Sequence, residues 1–274
     1  MTAIQAIVMA VLQGVTELFP ISSLGHAVVL PRLLHWGVDL KAPDWLAYLV
    51  VMHLGTAVAL FVFFWRDWVS FGLSLLGLSG ARAAADRRVF WHVVLATIPA
   101  VVVGFALHKI LAEAFGAPWI AATFLVINGF ILYFGDLVAG ETVGKLEQIN
   151  WKGALAVGCA QCLALIPGIS RSGSTIVAGV MAGLKHEASA RFSFLMGTPI
   201  ILAANVYEAP KLLKQGATLG PMAVLSGIVA GIVAYLSVWF LMRYFNKNEF
   251  EALAPFAYYC WAAGAASLAL IALF

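Results

Sequence analysis

Six stretches of this 274-residue chain run with scarcely a charge: 45–65, 89–107, 119–137, 192–207, 221–242 and 254–274. An α-helix needs about 20 apolar residues to cross the hydrocarbon of a bilayer. Backbone in that medium must satisfy its own hydrogen bonds, so only helices and closed barrels can span it. The fourth stretch is the shortest and the weakest match. Composition agrees, since 63% hydrophobic and 11% charged residues leave too little polar surface to cover a soluble fold. Disordered, collagen-like and disulfide-stapled classes are excluded by the same figures. The net charge of +3 is small and the Lys and Arg residues are scattered, so no nucleic-acid partner is expected. Cys159, Cys162 and Cys260 lie in apolar stretches and read as buried thiols. The N-terminus lacks the basic region and small-residue cleavage site of a signal peptide, so targeting is expected to fall to the first apolar segments.

Two further apolar regions do not fit the span template. Region 2–34 is broken at Pro20 and at Ser22-Ser23-Leu24-Gly25, and region 152–184 at Pro167-Gly168 and at 170–175. Each break leaves two arms of about 11–18 residues, too short for two crossings. Non-helical backbone at membrane depth is tolerated only where it is buried in protein or lines a wet cavity. Each region therefore reads as a re-entrant helical hairpin with its tip inside the membrane. The two resemble one another: Gln13 and Pro20-Ile21-Ser22-Ser23-Leu24-Gly25 parallel Gln161 and Pro167-Gly168-Ile169-Ser170-Arg171-Ser172-Gly173, and His53-Leu54-Gly55-Thr56 faintly echoes Leu195-Met196-Gly197-Thr198. The chain then divides into 1–140, with hairpin 2–35 and three spans, and 150–274, with hairpin 152–184 and three spans. Three crossings are an odd number, so the second half enters upside down. The expected fold class is an all-α integral membrane protein: an inverted repeat of six transmembrane helices plus two re-entrant hairpins. Transporters use this plan, with the site where the repeats meet.

Ten cations (Arg66, Arg82, Arg87, Arg88, Lys145, Lys152, Lys185, Arg191, Arg243, Lys247) fall on one side of this topology and five (Arg32, Lys41, Lys109, Lys211, Lys214) on the other. The richer side is expected to be cytoplasmic.

Away from span ends, the apolar segments hold few ionisable groups: Glu17, His26, His53 and Arg171. A Glu or Arg at bilayer depth costs about 2.5–3.5 kcal/mol even on insertion scales, so such groups should face each other or water and mark a functional site. The second break, from Pro167 to Thr175, concentrates hydroxyls, glycines and Arg171. A helix N-terminus rich in Ser and Thr favours anions, and a guanidinium matches phosphate oxygens. That loop looks built for phosphate. In the first break Gln13 and Glu17 share a helix face, as do Ser23 and His26. Glu17 and Gln13 offer oxygen ligands to Mg²⁺ or Ca²⁺, and Ser23 beside His26 is the minimum for a nucleophile and its base. His53 is either a proton carrier or a histidine bonded to a backbone carbonyl. Gln161 is expected to satisfy backbone groups near the second break, and tryptophans at segment ends are interfacial anchors.

The runs Gln13-Gly14-Val15-Thr16-Glu17-Leu18-Phe19-Pro20-Ile21-Ser22-Ser23-Leu24-Gly25-His26 and Pro167-Gly168-Ile169-Ser170-Arg171-Ser172-Gly173-Ser174-Thr175 resemble the two signatures of the undecaprenyl-diphosphate phosphatases of the bacitracin-resistance type. The resemblance covers essentially the whole chain. It implies a bacterial inner-membrane enzyme that hydrolyses undecaprenyl diphosphate to undecaprenyl phosphate and inorganic phosphate, recycling the lipid carrier of peptidoglycan synthesis. It also implies a site opening to the periplasmic side. Catalytic roles would fall to Glu17, Ser23, His26 and Arg171, and diphosphate binding to Ser22, Ser170, Arg171, Ser172 and Thr175. Glu17, with Gln13 in the variable first position, would be the metal-binding or acid–base carboxylate; His53 and Gln161, outside the two signatures, are placed behind them by the residue reading alone. Two departures matter: Gln13 replaces a frequent Glu, which weakens cation affinity, and Leu24 stands where many members carry Thr.

Several alternatives stay open on the sequence. The nucleophile is Ser23, His26 or water. The fold plan also suits a lipid-carrier transporter or flippase, or a noncatalytic membrane assembly subunit. Small-residue patches such as Gly227-Ile228-Val229-Ala230-Gly231 permit close helix packing within the chain or in a homodimer.

Overall fold

Thr2 starts the first helix with a capping box: its hydroxyl accepts from Gln5 N, and Gln5 Oε1 accepts from Thr2 N. The helices are α1 (Ala3–Thr16), α2 (Ser23–Leu33), α3 (Pro43–Phe63), α4 (Trp65–Leu75), α5 (Ala83–Ala114), α6 (Pro118–Ala139), α7 (Trp151–Gln161), α8 (Arg171–Met181), α9 (His186–Lys214), α10 (Pro221–Lys247) and α11 (Ala254–Leu273). Between α7 and the second break the chain tightens into a 3₁₀ turn, Cys162–Leu165. Proline opens α3, α6 and α10, where its missing N–H is no loss. This computed structural model describes residues 1–78, 80, 82–114, 117–140, 142–218, 220–248 and 251–273; among them there is no strand, only an isolated bridge between Gly144 and Leu184.

Among the described residues, six helices are long and apolar enough to cross a membrane: α3, α5, α6, α9, α10 and α11. They coincide with the six expected stretches, and Phe274, the end of the sixth, lies outside the described residues. The fourth differs most, running over His186–Lys214 rather than 192–207. Its ends carry His186, Glu187, Arg191, Lys211 and Lys214, which dilute hydropathy without breaking the helix. The joint expected after the first span contains a helix of its own, α4, which follows α3 with only Phe64 between them. The arms of the broken regions are short. At 1.5 Å per residue, the 14 residues of α1 and the 11 each of α2, α7 and α8 reach roughly 16–21 Å, against a hydrocarbon core of about 30 Å.

These short arms lie among the long helices of both halves: α1 along α10, α2 along α6, α7 along α5, and α8 between α6, α7 and α9. The long helices pair as α3 with α9 and α10, and α6 with α11. Where α3 crosses α10, Gly55 and Gly227 bring their backbones into contact, and a side chain on Gly55 would strike Gly227. The small-residue patch 227–231 is thus used inside the chain. At one end of the bundle, Arg66, Arg82, Lys145 and Arg191 line a single cleft with Asp67, Asp86 and Glu147. Arg191 Nη2 donates to Asp67 Oδ1 at 2.6 Å, and Arg88 donates to the carbonyl of Glu147. Cations grouped on one side by sequence therefore converge in space. Near them the buried pair Asp136–His186 (2.5 Å) ties α6 to α9, and the other oxygen of Asp136 accepts from Leu253 N at 2.9 Å.

Candidate active site

Each break is shaped by its own sequence. After α1, Pro20 interrupts the run, and Ser22 adopts φ 66°, ψ 96°. A non-glycine residue at positive φ costs about 1 kcal/mol or more and persists only where its surroundings hold it. Here the Ser22 hydroxyl accepts from Gly25 N at 3.2 Å and so caps α2. In the second break Gly168 takes φ 103°, and the Ser170 hydroxyl caps α8 by accepting from Gly173 N at 3.1 Å. Arg171 is therefore the first residue of a helix whose opening amides and positive dipole end face the break.

The two tips meet. A Cβ on Gly25 would lie 3.1 Å from Gly168 Cα. Asn128 of α6, fully buried, bridges them: its Nδ2 donates to Pro20 O and its Oδ1 accepts from Ser170 N, both at 2.9 Å. One amide side chain thus holds both breaks.

Glu17 is the centre of the site. It is 7% exposed, and among the described residues its side-chain polar contacts come from residues singled out in the sequence. Arg171 Nη2 donates to Oε1 at 3.2 Å. Oε2 accepts from Ser23 Oγ at 2.6 Å and Gln13 Nε2 at 3.3 Å, and His53 Nε2 lies 3.5 Å away. A carboxylate from the first break and a guanidinium from the second are thus brought together as the cost of burying either one alone requires. Arg171 Nη1 donates to Ser193 O of α9 at 3.3 Å, and Arg171 Nε is buried with no partner among the described residues. Gly197, one turn on in α9, leaves room for the guanidinium; a Cβ there would lie 2.6 Å from Nη1.

Other expected residues stand differently. Ser23 does not bond to His26. Instead His26 Nδ1 meets Ser22 O at 2.7 Å and Nε2 meets Tyr259 Oη at 2.7 Å. The hydroxyl of Thr175 bonds to Arg171 O at 2.7 Å and Ser193 Oγ at 2.7 Å, and that of Ser172 to Phe19 O at 3.2 Å and Ser170 Oγ at 3.1 Å. Both brace the loop from behind. His53 makes the backbone-carbonyl bond that was one of its two expected roles, with Nδ1 on Leu49 O at 2.8 Å, while its Nε2 faces Glu17 at 3.5 Å. Gln161 is buried, but neither amide atom has a partner among the described residues, contrary to the expected backbone contacts. Sequence reasoning passed over Asn128, Ser193 and Tyr259, and read Gly197 only as part of an echo between the repeats. A buried Asn in a span is the one signal that could have drawn notice.

The donor set suits a divalent cation only in part. Among the described residues no group of three His, Cys, Asp or Glu side chains could enclose one. Glu17 and the Gln13 amide supply three oxygens at most. That fits an ion such as Mg²⁺ or Ca²⁺ that takes its other ligands from phosphate and water.

A family model described as "Bacitracin resistance protein BacA" matches residues 6–266. The undecaprenyl-diphosphatase of Acidiphilium cryptum (strain JF-5) is 48% identical over 278 residues, covering 99% of both chains. That of Granulibacter bethesdensis (strain ATCC BAA-1260 / CGDNIH1) is 49% identical over 285 residues, covering 98% of this chain and 97% of the relative. The undecaprenyl-diphosphatase 2 of Chromobacterium violaceum is 45% identical over 271 residues, covering 98% of each.

Proposed function

The chain belongs to the bacitracin resistance protein BacA family, and from that premise we propose how its broken helices act on a polyprenyl diphosphate. The protein is a membrane hydrolase that cleaves undecaprenyl diphosphate to undecaprenyl phosphate and inorganic phosphate, returning the carrier to cell-wall synthesis. The observation that carries the mechanism is the convergence of Ser23, Glu17 and Arg171.

The head group lies between the two hairpin tips while the prenyl chain stays in lipid. Arg171 and the opening amides of α8 take the phosphate oxygens, as a helix N-terminus and a guanidinium favour. The phosphates then compete with Glu17 for Arg171, and Glu17 is left free to act as a base. Ser23, already donating to Glu17 Oε2 at 2.6 Å, gives up its proton there and attacks the terminal phosphorus. The bond from that phosphorus to the bridging oxygen breaks, and undecaprenyl phosphate leaves. Water then gives up a proton toward His26 as its oxygen attacks the phosphoserine; the bond from Ser23 Oγ to phosphorus breaks, Ser23 recovers a proton from Glu17, and His26 loses its proton with the departing phosphate. A divalent cation held by Glu17 and Gln13 would share the charge of the phosphates. The site opens to the periplasmic side of the inner membrane, opposite the cation-rich end. The two halves stand inverted about it, each hairpin dipping in from its own face.

Phosphate release by purified protein in detergent, with Mg²⁺ or Ca²⁺ supplied, tests hydrolysis without vectorial transport. Intact diphosphate under those conditions would favour the transporter reading. Labelling the terminal phosphate and quenching in acid tests the nucleophile. An acid-stable phosphoenzyme, absent in Ser23→Ala, is expected. An acid-labile label that survives in Ser23→Ala and disappears in His26→Ala would replace serine by histidine.

A further inference from the structure

Tyr259 has no place in either signature run, yet it makes the only side-chain hydrogen bond to His26 seen among the described residues. Ser22 O can only accept, so the 2.7 Å contact with Nδ1 puts the proton of a neutral imidazole on that nitrogen. Nε2 then carries a lone pair, and the Tyr259 hydroxyl at 2.7 Å must be its donor. The tyrosine ring also stacks on the imidazole, with centroids 5.7 Å apart and planes 16° from parallel. The ring is thus fixed in tautomer by two polar partners and in orientation by a third contact.

The platform under Tyr259 is rigid. α11 packs along α6, with Gly264 against Ala122 and Val126 and Trp261 against Gly129. The next residue, Cys260, is fully buried, and its Sγ lies 3.3 Å from the Asn128 nitrogen that holds Pro20. Movement of α11 along its axis would therefore disturb the same amide that joins the two breaks. Tyr259 itself is 42% exposed, standing where the His26 side of the site meets the surface.

We propose that Tyr259 links His26 to the attacking water: its hydroxyl holds the imidazole in the Nδ1–H tautomer by donating to Nε2, and as water gives a proton to Tyr259 Oη that hydroxyl passes its own proton to Nε2, so that it acts on turnover only through that ring. The proposal rests on the hydrolase reading above and assigns the final helix a part in the reaction.

Tyr259→Phe removes the hydroxyl and keeps the stacking ring. In the phosphate-release assay, kcat is expected to fall about tenfold, part of the 10²–10⁴-fold that a placed base contributes, with KM within about twofold of the parent. In a His26→Asn background the same substitution should change nothing. A merely structural tyrosine would cost the same factor in both backgrounds, and that result, or a kcat within about twofold of the parent in the first, overturns the proposal. Nitrogen NMR of ¹⁵N-histidine-labelled protein gives a second measurement independent of residual activity. The resonances lost in His26→Asn should report a protonated Nδ1 and an unprotonated Nε2, and should shift in Tyr259→Phe; an unchanged His26 spectrum overturns the proposal. A parent protein that releases no phosphate fails the hydrolase reading instead, so the two failures are distinct.

Discussion

The space left by Gly197 makes the sharpest prediction. A methyl group at that position would lie 2.6 Å from Arg171 Nη1 and 3.0 Å from both Cζ and Nη2. Carbon and nitrogen in unstrained contact sit about 3.5 Å apart, so the guanidinium must shift by roughly 0.5–1 Å. Its two hydrogen bonds have no slack to absorb this: Nη2 to Glu17 is already 3.2 Å and Nη1 to Ser193 O is 3.3 Å. The obstructed atoms end a long flexible side chain, so the arginine swings aside and the fold survives. Alanine also favours a helix interior over glycine by about 1 kcal/mol, which offsets part of the disturbance. A 1 Å misplacement of a group that orients the reacting phosphates costs about 10²-fold in rate. Gly197→Ala should therefore reduce kcat/KM for phosphate release about a hundredfold while its melting temperature in detergent stays close to the parent's. Activity within about threefold of the parent would refute the argument, because it would mean that the guanidinium position seen here is not the one that turnover needs.

Asn128→Ala leaves Pro20 O and Ser170 N without their side-chain partner, a cost of about 1–3 kcal/mol for each buried group. A lowered melting temperature is expected together with lost activity, and Asn128→Asp, which keeps the acceptor for Ser170 N, should fall between; an unchanged melt for Asn128→Ala would sink this account. Asp136→Ala orphans His186 Nε2 and Leu253 N at the cation-rich end of the bundle. Detergent melting should show a loss of stability with KM for the diphosphate unchanged, and a raised KM at full stability would contradict a purely structural role.

How much of this could be read beforehand depends on what each residue costs in lipid. The long helices announced themselves because apolar runs leave few other choices, and α10 and α11 begin at the expected Pro221 and Ala254. α9 was underestimated because half of its most apolar window is buried in protein, where polar residues at either end carry no lipid penalty. α4 was missed because its polar and apolar residues share a surface helix that need not cross anything. Glu17 and Arg171 stood out for the opposite reason, since an uncompensated charge at that depth is expensive. Asn128, Ser193 and Tyr259 are neutral, cheap to place in a span, and acquire meaning only from partners 42 to 233 positions away in the chain or from a backbone carbonyl. The echo between Gly55 and Gly197 was visible, but not its content: the first glycine admits α10 and the second admits a guanidinium.

The span of 154 residues between Glu17 and Arg171 sets a timetable for biogenesis. At translation rates of about 5–20 residues per second, the acidic partner exists for roughly 8–30 seconds before the ribosome makes its counter-ion. Throughout that interval the N-terminal segment carries a carboxylate that hydrocarbon rejects, while the first three spans are already being threaded. Until then its polar partners among the described residues are Gln13, Ser23 and His53 alone. The charge balance of the site is therefore completed only by a loop made 154 residues later.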